Sequence, residues 1–197
     1  MGYTGFERLW LFFAFSFFGW VLETVTAAVR QRRFVNRGLV NGPFCVLYGI
    51  TGTAMLVVCR ELHGIWLFLG SMIFSTLAEW IAGHVIERMY HERWWDYSHM
   101  KWNLDGYICV PVSIVWGVLG AATMRWGAPV LVRVFRMLPR TPGHLIVWIL
   151  AAVLAMDVTA TLCILSGRSR RIRQWEGVDS WLTGVSSRLE RKIYGKK

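Results

Sequence analysis

The apolar residues of this chain come in long blocks separated by short polar stretches. A bilayer core about 30 Å thick needs roughly 20 apolar residues per helix. Five segments approach that length and predict transmembrane helices: Phe6–Val29, Phe44–Val58, Ile65–Tyr90, Tyr107–Met124 and Leu145–Leu165. The second is short, so either its ends reach into the flanking loops or it sits off-centre. Between the fourth and fifth, Trp126–Leu138 reads as an amphipathic helix lying on the membrane surface. The expected fold is all-α: a polytopic membrane helix bundle over residues 1–166, its fifth helix at 145–165, followed by a basic cytoplasmic tail, 167–197. The first block opens with Glu7 and Arg8 and outruns the usual signal-peptide core of about 7–15 residues, so it is expected to stay as a helix.

Composition excludes a soluble domain. Hydrophobic residues make up 55% of the chain and charged residues 17%, against roughly 25% charged in an average soluble domain. The net charge of +10 is explained without nucleic acid, because basic loops orient membrane proteins and meet anionic lipid. With five spans, 16 of the 22 Lys and Arg residues fall on the side of the C-terminal tail and 6 on the other. This predicts a cell-membrane protein with its N-terminus outside and its C-terminus cytoplasmic. Arg125, Arg133, Arg136 and Arg140 run against that bias. Cys45, Cys59, Cys109 and Cys163 lack the clustered spacing of a zinc or redox site and read as small buried hydrophobes.

A shift of 64 residues lays the sequence on itself. Gly19-Trp20-Val21-Leu22-Glu23 falls on Gly83-His84-Val85-Ile86-Glu87, Asn41-Gly42 on Asp105-Gly106, and Cys45-Val46 on Cys109-Val110. The pattern predicts a parallel two-helix repeat, with halves at about 6–60 and 65–125.

Ionisable groups inside a bilayer are costly and normally face a bundle interior or a wet cavity. Glu23, Glu79, Glu87 and Asp157 all lie on odd-numbered spans, which run in one direction. Glu23 is about 9 Å from its helix end and Asp157 about 12 Å. These depths predict carboxylates at similar levels in one half of the membrane, with Glu79 nearer the midplane, and Trp20 and Trp80 as aromatic neighbours for a cation. Interface anchoring or interhelical hydrogen bonding is the plainer alternative. Two motif-rich loops face the same layer. One carries Asn36, Arg37 and Asn41. The other carries Trp95, Asp96, Tyr97, Ser98 and Asn103. Helix N-termini are expected at about Pro43 and Gly106, with Asn41 and Asp105 as caps. His84, His91 and His99 lie near Glu87 and Asp96 but not at a metal-ligand spacing. No phosphate-binding Gly-x-x-x-x-Gly-Lys-Ser/Thr loop occurs. No cofactor and no metal is expected.

Gly19-Trp20-x-x-Glu23, Asn36-Arg37-Gly38-x-x-x-Gly42-Pro43-Phe44-Cys45-x-x-Tyr48-Gly49, Glu79, Glu87, and Trp94-Trp95-Asp96-Tyr97-Ser98 with Asn103-x-x-Gly106 resemble the putative ABC-transporter type IV family, also called CmpB-type permeases. The motifs run from about Gly19 to Gly117. The resemblance implies a permease component and a separate ATPase subunit as partner. Together these readings lead to a transport protein that moves a small cationic or proton-coupled substrate through a cavity lined by the acids and the two loops. A homo-oligomer is expected, since five small helices enclose little space. The alternatives are an interfacial enzyme acting on a lipid or polyprenyl substrate through His91, Asp96, Ser98 and Asn103, or an assembly subunit in which the acids only pair helices.

Overall fold

The computed structural model describes residues 2–32, 42–90 and 93–165. Six α-helices carry the fold: α1 (Gly5–Gln31), α2 (Val46–Val58), α3 (Gly64–Tyr90), α4 (Val110–Ala122), α5 (Ala128–Met137) and α6 (Arg140–Leu165). A two-stranded hairpin, β1 (Asn103–Leu104) with β2 (Ile108–Cys109), precedes α4. Four helical stretches are long and apolar enough to cross a membrane: Gly5–Val29, Gly64–Arg88, Val110–Met137 and Arg140–Thr161. The chain is an all-α membrane helix bundle. Its large exposed apolar side chains, among them Phe18, Ile50, Trp66, Ile81 and Val115, suit a lipid-facing surface.

The helix ends reflect local chemistry. Thr4 and Glu7 form a capping box at the start of α1, which satisfies two otherwise unpaired N–H groups. Arg32, at φ 51°, closes that helix in the left-handed region. Helices α2 and α4 begin at Val46 and Val110, behind Cys45 and Cys109. They do not begin at Pro43 and Gly106, and Asp105 is not a cap. Asp105 and Gly106 both have positive φ and form the centre of a turn closed by Tyr107 N–H to Leu104 O at 3.1 Å. An Asp-Gly pair favours a hairpin turn of this kind.

The surface helix expected at Trp126–Leu138 is instead continuous with α4. A π turn, Thr123–Gly127, joins α4 to α5. Pro129 explains it: proline has no N–H for the carbonyl four residues back, and its ring clashes with that carbonyl. Ala128 N–H bonds to Thr123 O, five residues back. The apolar face of α5 is covered by protein, because Ala128 and Val132 pack with Leu11 and Phe15 of α1. Trp10 Nε1 donates to Leu131 O at 2.9 Å, and Arg136 pairs with buried Glu7 at 2.6 Å. Amphipathicity here reports packing against a neighbouring helix.

The fold divides into two units, one ending at Val153 and the other beginning at Leu154. In the first, α1 pairs antiparallel with α2, and α3 with α4. The two shorter partners are both 13 residues long and begin 64 residues apart, at Val46 and Val110. Met55, Cys59 and Leu67 join α2 to α3. Cys45, Cys59 and Cys109 are buried free thiols. Phe6 stacks on His144 near the start of α6. In the second unit, the Thr161 hydroxyl donates to Asp157 O at 2.9 Å.

Candidate functional site

Each helix pair contains a glycine that seats a tyrosine. A Cβ at Gly19 would run into the Tyr48 ring, and one at Gly83 would lie 2.6 Å from Tyr107 Cδ1. Four residues after each glycine, about one turn on, a glutamate accepts the hydroxyl of that tyrosine. Tyr48 Oη donates to Glu23 Oε1 at 2.6 Å, and Tyr107 Oη donates to Glu87 Oε2. Gly19 and Gly83, and Glu23 and Glu87, are the pairs matched by the 64-residue shift.

The acids form two clusters in the first unit. Glu79 is buried, with 9% of its surface exposed. Its Oε1 accepts from the Tyr97 hydroxyl at 3.0 Å, and its Oε2 from Trp116 Nε1 at 3.1 Å. The Trp116 ring meets the Tyr48 ring edge-on at 5.7 Å. Glu79, Tyr97, Trp116, Tyr48 and Glu23 therefore form a continuous polar-aromatic chain across α3, the loop, α4, α2 and α1. Among the described residues, no basic side chain pairs with Glu23 or Glu79.

Glu87 belongs to the second cluster. Arg93 Nε lies 3.1 Å from its Oε2, and the Arg93 guanidinium stands 4.6 Å over the Tyr107 ring. Eight helical residues separate Glu79 from Glu87. That is about 12 Å of rise and about 80° of rotation, so the two carboxylates meet different neighbours.

The loop between α3 and α4 owes its shape to its own motif residues. Asp96 Oδ1 accepts from Ser98 N at 2.9 Å and from Ser98 Oγ at 2.6 Å. These two donors hold the Asp96 carboxyl below its usual range. Asn103 Nδ2 donates to Met100 O at 2.7 Å, and Asn103 Oδ1 accepts from Gly106 N at 3.1 Å. Trp95 Nε1 donates to Tyr107 O at 2.9 Å. Arg93 donates to Asp105 O at 3.0 Å, and Tyr97 N donates to Gly106 O at 2.8 Å. Gly106 has no room for a side chain: a Cβ there would lie 2.5 Å from Ser98 Oγ and 2.6 Å from Asp96 Oδ1. The outcome of this bonding is that Tyr97 points at Glu79. Burial, and then the Glu79 carboxylate beside it, raise the Tyr97 phenol, so at neutral pH it is a neutral donor.

Of the candidate residues, Glu23, Glu79 and Tyr97 come together. Trp95, Asp96, Ser98 and Asn103 build the loop that carries Tyr97, while Glu87 pairs with Arg93. Asp157 lies in the second unit. Asn36, Arg37, Asn41, His91 and the tail 167–197 lie outside the described residues. Trp80 and Trp20 are not the aromatic partners in this chain of contacts. Trp80 comes directly after Glu79, so it points about 100° away and lies tilted against His84, while Trp20 tilts against Phe17. The indole that reaches Glu79 is that of Trp116, whose position in an apolar run carried no signal of its role. Tyr48, Tyr107 and Arg93 were missed as well, although the matched glycines marked where two rings would sit.

No curated protein and no solved structure matches this chain. The model of the family described as Putative ABC-transporter type IV matches residues 10–162, which takes in both helix pairs, the intervening loop and the acids Glu23, Glu79 and Glu87. The chain belongs to that family and is a membrane component of the ABC-transporter type.

Proposed function

We propose that this chain is the membrane-embedded part of a transporter and that Glu79, with Glu23 beside it in the same chain of contacts, accepts a proton or small cation during transport. The observation that carries this reading is a buried carboxylate on a spanning helix held by two neutral donors, Tyr97 and Trp116. A carboxylate in low dielectric gains by binding a positive charge, and among the described residues no basic side chain pairs with Glu79. The tyrosine and the indole hold its oxygens in place whether or not that charge is bound.

A separate ATPase subunit would supply energy, since the sequence has no phosphate-binding loop of its own. The bias of basic residues supports a cytoplasmic location for the loop that carries Tyr97. Asp157, Asn36, Arg37 and Asn41 stay as candidate substrate contacts. The interfacial-enzyme reading draws less support, because Asp96 Oδ1, Ser98 Oγ and Asn103 Oδ1 are engaged within the loop.

The test is ion flux into proteoliposomes holding the full chain, driven by an imposed ion gradient so that no ATPase is needed, with protons followed by a trapped pH dye and rubidium by isotope uptake. Wild type should exceed empty liposomes for at least one of these probes. Glu79→Gln should lower that flux about tenfold or more, the range expected for losing a group with an acid–base role. Full flux in Glu79→Gln, or wild-type flux equal to empty liposomes, overturns the proposal.

A further inference from the structure

Arg125, Arg133, Arg136 and Arg140 run against the charge bias of the loops, and the Glu79 site makes no use of them. They belong to the end of the bundle that holds the start of α1 and the turn between α2 and α3. Two acids are described at that end, and each already has a partner. Arg136 takes Glu7 at 2.6 Å, and Arg60 takes Glu61 at 3.0 Å. Arg125 and Arg133 make no hydrogen bond or ion pair among the described residues.

Their level follows from contacts. Lipid-exposed turns do not occur inside the hydrocarbon layer, so the α2–α3 turn, with Arg60 and Glu61 exposed, marks the membrane surface. Met124 packs against the cluster of Met55, Cys59 and Leu67. Cys59 directly precedes that turn, and Met55 lies one helical turn below it. Arg125 therefore leaves the helix about one turn beneath the surface, within reach of it by snorkelling. Arg133 lies eight residues further out, at most about 12 Å.

The outward side of this stretch is two-toned. Ala128 and Val132 are buried on α1. Arg125, Pro129 and Arg133 are exposed four residues apart, so they form one row. Trp126, Val130 and Val134 form an exposed apolar row beside it. Hydrocarbon can cover the apolar row, and a tryptophan suits the headgroup level. It cannot cover unpaired guanidinium groups without a large cost.

We infer that Arg125 and Arg133 form a binding site for the phosphate headgroup of an anionic phospholipid whose apolar part lies against the Trp126–Val134 row. The ligand is an amphiphile because the surface is one: a basic row and an apolar row side by side. Such a headgroup supplies the counter-charge that the acids at this end cannot, since both are taken.

The full chain in neutral detergent is titrated with phosphatidylglycerol or with phosphatidylcholine of the same acyl chains. The dissociation constant of the tightest-bound lipid is read by native mass spectrometry. A basic residue near an anionic headgroup is worth about fivefold in affinity. The wild type should thus favour phosphatidylglycerol by about thirtyfold, and Arg125→Gln with Arg133→Gln should lose that preference. Arg88→Gln with Lys101→Gln removes the same charge from exposed positions at the other end and should keep it. The single variants Arg125→Gln and Arg133→Gln, each expected to lose about fivefold, serve if the pair does not fold. No preference in the wild type, no loss in the arginine variants, or equal losses in the two double variants overturns the site. Inorganic phosphate displacing phosphatidylglycerol, where sodium chloride of the same ionic strength does not, would mean a site for free phosphate and overturns the lipid assignment.

Discussion

The two helix pairs use one device for different ends. In α1–α2 and in α3–α4, a glycine seats a tyrosine, and a glutamate one turn later takes its hydroxyl. In the first pair, Glu23 meets the neutral Tyr48. In the second, Glu87 also meets Arg93 and stays partly exposed. The second pair carries an additional acid, Glu79, buried deeper, and a loop that reaches it. A shared seat thus holds an acid without a basic partner among the described residues in one half and a neutralised surface anchor in the other. The difference arises beyond the end of the helix, because the α3–α4 loop brings its own arginine to the glutamate.

The largest expected effect tests whether the seat is shared. Gly19→Leu and Gly83→Leu each push a tyrosine ring off its helix, and overpacking of this kind costs about 1–3 kcal/mol or more. Both should lower the thermal midpoint in detergent by comparable amounts, followed by near-ultraviolet circular dichroism. A tolerated Gly83→Leu beside a collapsed Gly19→Leu would break the equivalence.

Removing only the hydroxyls sharpens the contrast. Tyr48→Phe takes from Glu23 the one hydrogen bond described for its carboxylate, and a bond to a charged group is worth about 1.5–3 kcal/mol. Tyr107→Phe leaves Glu87 with Arg93, so its midpoint should fall less. That residual pair is exposed, so raising salt should weaken the second half further and leave the first unchanged. Equal losses at low salt, or a salt response in both halves, would count against the distinction.

The smallest effect concerns the loop alone. The folded Asp96 carboxyl is held by Ser98 below its ordinary value of 3.8. Its contribution to stability is thus present above about pH 4 and is lost as pH falls through the lower, folded value. Ser98→Ala removes the hydroxyl donor and leaves the N–H. The midpoint gap between wild type and Ser98→Ala should be full at neutral pH and should narrow as pH falls below about 4. A gap that is constant with pH would mean that Ser98 acts by packing.

Much of the architecture was legible in the sequence because membrane spans depend on additive quantities. Apolar length and the bilayer thickness alone locate α1, α3, α4 and α6. The 64-residue match picked out Gly19 with Gly83 and Glu23 with Glu87, since both halves need a small residue and an acceptor at the same helical interval. Patterning failed at α5, where a face buried on α1 has the same polarity pattern as a face buried in lipid. At the Trp94–Ser98 motif, patterning has no means to tell polar residues that bond within a loop from residues that meet a ligand.

The sequence by itself determined that this chain lives in a membrane, where its spans lie and that acids sit within them. Hydrophobicity and helix rise are properties of each segment alone, so they can be read without knowing the neighbours. Only the tertiary structure decided which acid meets which donor. The bonds from Tyr97 and Trp116 to Glu79 span 18 and 37 residues, and they exist because the loop folds back and α4 turns its indole inward. Helix rotation and loop path are set by packing between segments, and that packing separates Glu79 from Glu87 on a single helix.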